Sequence, residues 1–147
     1  MFSMLFKKKP LSRLDEERLI KAIQTAEQQT SGEIRVHFDT DKVDSAIDRA
    51  KHIFSKLKMH ETELRNGILF YVNLKQKQFA VWGDEGINKN VPENFWDSVK
   101  DTAISNFKEG KTIDGLEKCI LMSGEQLKKY FPLAEGDKNE LKNDISY

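Results

Sequence analysis

The sequence predicts one α/β domain, a small mixed sheet with helices on both faces, and three observations lead there. Helical and strand periods follow one another in the order helix, strand, helix, strand, strand, helix, helix. The length of 147 residues with 38% hydrophobic residues suits a single core and leaves no room for a second full domain. One cysteine and no pair of cysteines or histidines at zinc spacing exclude disulfide and zinc staples, so the apolar core must hold the fold.

Each element has its own signal. From Ser12, Leu19, Ala22, Ile23 and Ala26 recur at three- and four-residue steps, Asp15, Glu16 and Glu17 suit a first turn, and Thr30-Ser31-Gly32 stops the run. Glu33-Ile34-Arg35-Val36-His37-Phe38-Asp39 alternates strictly, which predicts a half-buried strand with Ile34, Val36 and Phe38 on the covered face. Val43, Ile47, Ala50, Phe54 and Leu57 form one apolar helical face ending near Met59. Gly67-Ile68-Leu69-Phe70-Tyr71-Val72 is nearly unbroken apolar sequence, as in a central strand covered on both faces. The short link Asn73 to Lys77 then favours an antiparallel hairpin into Gln78-Phe79-Ala80-Val81-Trp82. A third helix is expected from Pro92-Glu93-Asn94 to Gly110, burying Val99, Ala103 and Phe107. A fourth uses Ile113, Leu116, Ile120, Leu127 and Phe131, with Gly124 allowing close packing.

These boundaries predict a flexible segment over residues 1–11, one domain over 12–133, and a disordered polar tail over 134–147. Lys plus Arg and Asp plus Glu balance at 24 each, so no basic stripe suggests nucleic-acid binding. No apolar stretch is long enough to span a bilayer, and Lys7-Lys8-Lys9 follow rather than precede the short apolar run at the N-terminus, unlike a signal peptide. The expected location is therefore cytoplasmic.

Topology alone brings polar residues together. Strands one and two, joined through a helix, should run parallel, and strand three returns antiparallel. Ser31-Gly32-Glu33, Arg65-Asn66-Gly67 and Gly83-Asp84-Glu85 then share one sheet edge, with Glu93 close behind a short loop. Glu33, Asn66, Asp84 and Glu93 make a hard-oxygen set suited to Ca²⁺, or else Mg²⁺. The plainer alternative pairs Glu33 with Arg65 and leaves Glu93 to favour a helix N-terminus. At the opposite edge, Asp39, Asp41 and Asp44 lack the glycine and glutamate of an EF-hand, and helix capping by Asp39 or Asp41 is the favoured reading.

Four blocks in order resemble the TPM domain family found in thylakoid acid-phosphatase-type proteins and many bacterial proteins. They are Thr30-Ser31-Gly32-Glu33-Ile34-Arg35-Val36, Arg65-Asn66-Gly67-Ile68-Leu69-Phe70-Tyr71-Val72, Phe79-Ala80-Val81-Trp82-Gly83-Asp84-Glu85-Gly86-Ile87, and Phe107-Lys108-Glu109-Gly110 with Asp114-Gly115-Leu116. The resemblance implies a three-layer α/β/α sandwich and a divalent cation, often calcium, at loops beside the sheet, with acid phosphatase activity in some relatives. Glu33 matches the family's Ser-Gly-Glu block, Asp84 a subgroup with Gly-Asp-x-Gly-Ile, and Glu93 an acidic residue just after Pro or Thr. Asn88-Lys89 stand where many relatives carry Glu-Gly. The leading expectation is a divalent-cation-binding domain. A metal-dependent phosphatase with Arg65 on the phosphate, and a ligand-free protein-interaction module, are the alternatives. No nucleophile is evident: His37, His52 and His60 read as structural or solvated, and Cys119 as a small core residue.

Overall fold

The computed structural model describes residues 10–133 and 145–147, and the sequence expectations for residues 1–9 and 134–144 lie outside it. The elements are α1 (Arg13–Glu27), β1 (Glu33–Asp39), α2 (Ala46–Lys56), β2 (Gly67–Asn73), β3 (Gln78–Gly83), α3 (Glu85–Asn88), α4 (Phe95–Lys108), α5 (Thr112–Tyr130) and β4 (Ile145–Ser146). The sheet order is β3-β2-β1-β4. β1 runs parallel to β2, and β2 and β3 form the expected antiparallel hairpin.

Strand parity divides the core between two layers of helix. Ile34, Val36, Phe38, Ile68, Phe70, Val72 and Phe79 face α1, α4 and α5, forming the main core with Leu19, Ile23, Val99, Leu116, Ile120 and Leu127. Leu69, Tyr71 and Ala80 face the other way, against Ala50, Ile53 and Phe54 of α2. The α/β/α sandwich implied by the sequence is therefore the fold. α5 approaches α1 closely at Gly124, where a Cβ would sit 2.7 Å from the Ala26 Cβ. Among the described residues no helix is long and apolar enough to cross a membrane.

Four expectations change. β1 is not half-buried: Glu33, His37 and Asp39, on its polar face, are 3%, 6% and 1% exposed, with Ser146 of β4 as partner to His37 and Arg49 of α2 as partner to Asp39. Residues 145–147 are not a disordered tail. Ile145 and Ser146 pair with Val36 and His37 as a parallel edge strand, and the Tyr147 ring stacks on Phe38. Asp39 and Asp41 cap no helix. Ser45 caps α2 instead, its hydroxyl accepting from the Asp48 N–H. α4 also opens later than expected, at Phe95, because Pro92 to Asn94 form a turn in which Phe95 N–H donates to the Pro92 carbonyl.

Candidate functional site

The N-terminal edge of β1 is built by three returns of the chain. Thr30-Ser31-Gly32 folds α1 back into β1, and Gly32 lies flush against the Leu127 side chain. Asn66 precedes β2 and is 1% exposed; its carbonyl lies 3.5 Å from the Glu33 nitrogen, and its side-chain amide donates to the Ser31 hydroxyl at 3.3 Å. After β3, the Asp84 N–H donates to the Gly67 carbonyl at 2.9 Å, and the Asp84 carboxylate caps α3 by accepting from Glu85 N–H.

Asp84 is already charge-matched. Arg65 Nε and Nη2 donate to its two oxygens at 2.7 and 2.9 Å, a bidentate pair with Asp84 only 4% exposed. Arg65 Nη1 reaches Glu85 at 3.3 Å, and these acidic partners raise the guanidinium pKa. Arg65 holds a left-handed backbone (φ 52°), and its carbonyl accepts from Gly86 N–H at 2.8 Å. A Cβ on Gly86 would sit 2.6 Å from that carbonyl oxygen, so glycine is required there. The Arg65 guanidinium thus pairs with Asp84 and Glu85 and closes a loop clasp.

The four sequence-predicted ligands do not converge as one set. Glu33 and Asn66 are backbone neighbours, Asp84 is committed to Arg65, and Glu93 is exposed in the turn before α4. Among the described residues no group of three or more His, Cys, Asp or Glu side chains is placed to hold a metal.

Glu27, the last residue of α1, was missed by sequence reasoning because it lies off the apolar helical stripe. Its carboxyl group accepts from the Ile34 N–H at 2.7 Å and hydrogen-bonds the Glu33 carboxylate. Burial first, and then the Glu33 charge, push the Glu27 pKa up to about 8, against the opposing pull of the Ile34 N–H. The Glu27 carboxyl group is thereby biased toward its protonated form beside Glu33. The usable signal was the spacing Glu-x₅-Glu bracketing Thr30-Ser31-Gly32. As a donor set for a divalent cation, the pair fits: two hard carboxyl groups whose repulsion a cation relieves, with neutral oxygens at Ser31 and Asn66 nearby.

The opposite edge is saturated. The Asp39 carboxylate accepts from Asp41 N–H, Tyr71 OH and Arg49 Nε at 2.9, 2.9 and 3.1 Å. Burial would raise its pKa, but these donors and the Arg49 charge more than offset it and hold the carboxyl below its usual value. Tyr71, buried against that carboxylate, is pushed up to about 12. Asn73 and Gln76 close the loop by bonding Asp41 and Val43 backbone groups. His37 stacks on Tyr71 and meets the Ser146 hydroxyl, while burial pushes the Cys119 thiol up to about 12, as expected for an inert core cysteine.

An α/β/α sandwich with this Ser-Gly-Glu turn and Gly-Asp-Glu-Gly-Ile clasp defines a class. The TPM domain profile matches residues 7–126, and the chain belongs to that family. It is 40% identical to the BA42 protein of the psychrophilic bacterium Bizionia argentinensis, whose NMR structure superposes with a TM-score of 0.87, covering 97% of this chain and 99% of that one. Two further NMR structures share the fold. The N-terminal domain of a protein from P. gingivalis is 19% identical (TM-score 0.67; 82% and 78% covered). That of cg2496 from Corynebacterium glutamicum is 12% identical (TM-score 0.58; 90% and 82% covered). No curated protein matches the chain.

Proposed function

We propose that this TPM domain binds a divalent cation, Ca²⁺ before Mg²⁺, at the Glu27–Glu33 pair, with Asn66 and Ser31 as neutral oxygen donors. The observation that carries the reading is the pair itself: two carboxyl groups at hydrogen-bonding distance, one of them held protonated near neutrality. A like-charge pair of this kind is costly when both groups ionise, and a cation relieves it. When bound, the cation supplies positive charge between α1 and β1 and leaves both carboxylates ionised. Asp84 and Glu93 stand outside this donor set, the first because Arg65 neutralises it and the second because it is solvated. With two charged ligands the affinity belongs with the weak end of calcium sites, about 10⁻⁴ to 10⁻³ M.

Calcium titration followed by amide NMR tests this. Saturable shifts are expected at Glu33, Ile34 and Asn66, weakened at least tenfold in Glu27→Gln and in Glu33→Gln, and retained in Asp84→Asn. Loss of binding in Asp84→Asn with no change in Glu27→Gln would return the site to the Asp84 loop and refute the reading.

A further inference from the structure

A cavity of about 730 Å³ lies where the β2–β3 turn meets the last turns of α4 and the start of α5, beside the C-terminal end of β1 and away from the Glu27–Glu33 pair. Its volume falls within the range of small-molecule sites, roughly 300–1,000 Å³. Leu74, Phe79, Ile104 and Phe107 supply an apolar wall, with the two phenylalanine rings edge to face at 5.7 Å between centroids. Lys77 and Lys108 also line it, and no acidic side chain does so among the described residues. In a chain of zero formal net charge, that local excess of two cations selects for an anion.

We propose that this cavity binds an aromatic carboxylate. The planar ring lies against Phe79 and Phe107, and the carboxylate meets Lys77 and Lys108. Lysine ammonium groups act as point charges, without the fork that an arginine offers to a phosphate, which suits a single carboxylate. The site is independent of the cation at the Glu27–Glu33 pair, and binding is expected with chelator present.

The test uses the full chain in EDTA, amide NMR, and three probes: indole-3-acetate, 1-naphthaleneacetate, which lacks the N–H, and tryptamine, which reverses the charge. For about a dozen non-hydrogen atoms, affinity near millimolar is the realistic scale. Indole-3-acetate and 1-naphthaleneacetate should both give saturable shifts at Leu74, Gln78 and Phe107, and tryptamine should not saturate. Exchange of both surface lysines in Lys77→Glu/Lys108→Glu should weaken indole-3-acetate at least tenfold, and Ile104→Trp, which fills the cavity, should abolish binding. Unchanged amide dispersion in the lysine variant keeps that comparison valid if the tryptophan variant misfolds. Equal binding of indole-3-acetate and tryptamine, no effect of the lysine exchange, or no saturable shift at about 10 mM would overturn the proposal.

Discussion

The two ends of β1 carry buried carboxylates in opposite electrostatic states. At its C-terminal end, Asp39 has a cation, a phenol and a backbone N–H as partners, and its charge is stabilised where it stands. At its N-terminal end, Glu33 lies beside the Glu27 carboxyl group, whose pKa burial and the Glu33 charge push up. One strand thus carries a carboxylate matched by a cation and, six residues away, one set beside a second carboxyl group. Burial of acid groups alone does not mark a site; the balance of charge around them does.

Several changes would break or sharpen that contrast. Asp39→Ala should cost most, about 3 kcal/mol, because it strands the Tyr71 hydroxyl inside the core and leaves Arg49 without its buried partner; the loss falls at the low end for a buried pair because Arg49 is partly solvated. Chemical denaturation measures it, and a loss below about 0.5 kcal/mol would mean that the network is ornamental. Removal of residues 145–147 should come next, at about 2 kcal/mol, since it exposes the site of Ile145 and ends the Phe38–Tyr147 and His37–Ser146 contacts.

The two ends should also respond oppositely to pH. Asp39 has a lowered folded pKa, so its stabilisation is present above the unfolded value of 3.8 and fades as pH falls through the folded value. Glu27 has a raised one, so the folded state binds the extra proton between the model-peptide value of 4.5 and about 8, and stability should decline across that window as pH rises. The slope approaches about 1 kcal/mol per pH unit in metal-free wild type. Glu27→Gln should flatten this alkaline arm and leave the acid arm intact, as thermal melts from pH 3 to 9 would reveal. The smallest effect is expected for Arg65→Lys, roughly 1 kcal/mol, because it loses the bidentate bond to Asp84 while a cation remains beside it.

Sequence periodicity was sufficient for the layers but not for the pairings within them. The alternation of Ile34, Val36 and Phe38 located β1 and its apolar face, and the run from Ile68 to Val72 located the central strand. Burial of the polar face was hidden because it depends on donors from elsewhere, Tyr71 on a strand that reads as purely apolar and Arg49 on the solvent side of a helix stripe. β4 was hidden for a similar reason: two residues after a polar stretch carry no period of their own and acquire structure only by pairing with β1. At the candidate site, the clustering of Glu33 with Asn66 was legible from strand order. The bond between Arg65 and Asp84 was not, because it depends on the left-handed turn at Arg65 that aims the guanidinium across the loop. Glu27 required knowing how tightly Thr30-Ser31-Gly32 turns the chain, which brings α1's last carboxyl group to the Ile34 N–H.

The most direct measurement of the central claim is the proton released when calcium binds, obtained by titration calorimetry at pH 7 in buffers of different ionisation enthalpy. With Glu27 holding its proton up to about pH 8, wild type should release close to one proton per cation, and Glu27→Gln, if it binds at all, should release none. Calcium binding without proton release in wild type, or with the same release in Glu27→Gln, would contradict exchange of a cation for the Glu27 proton.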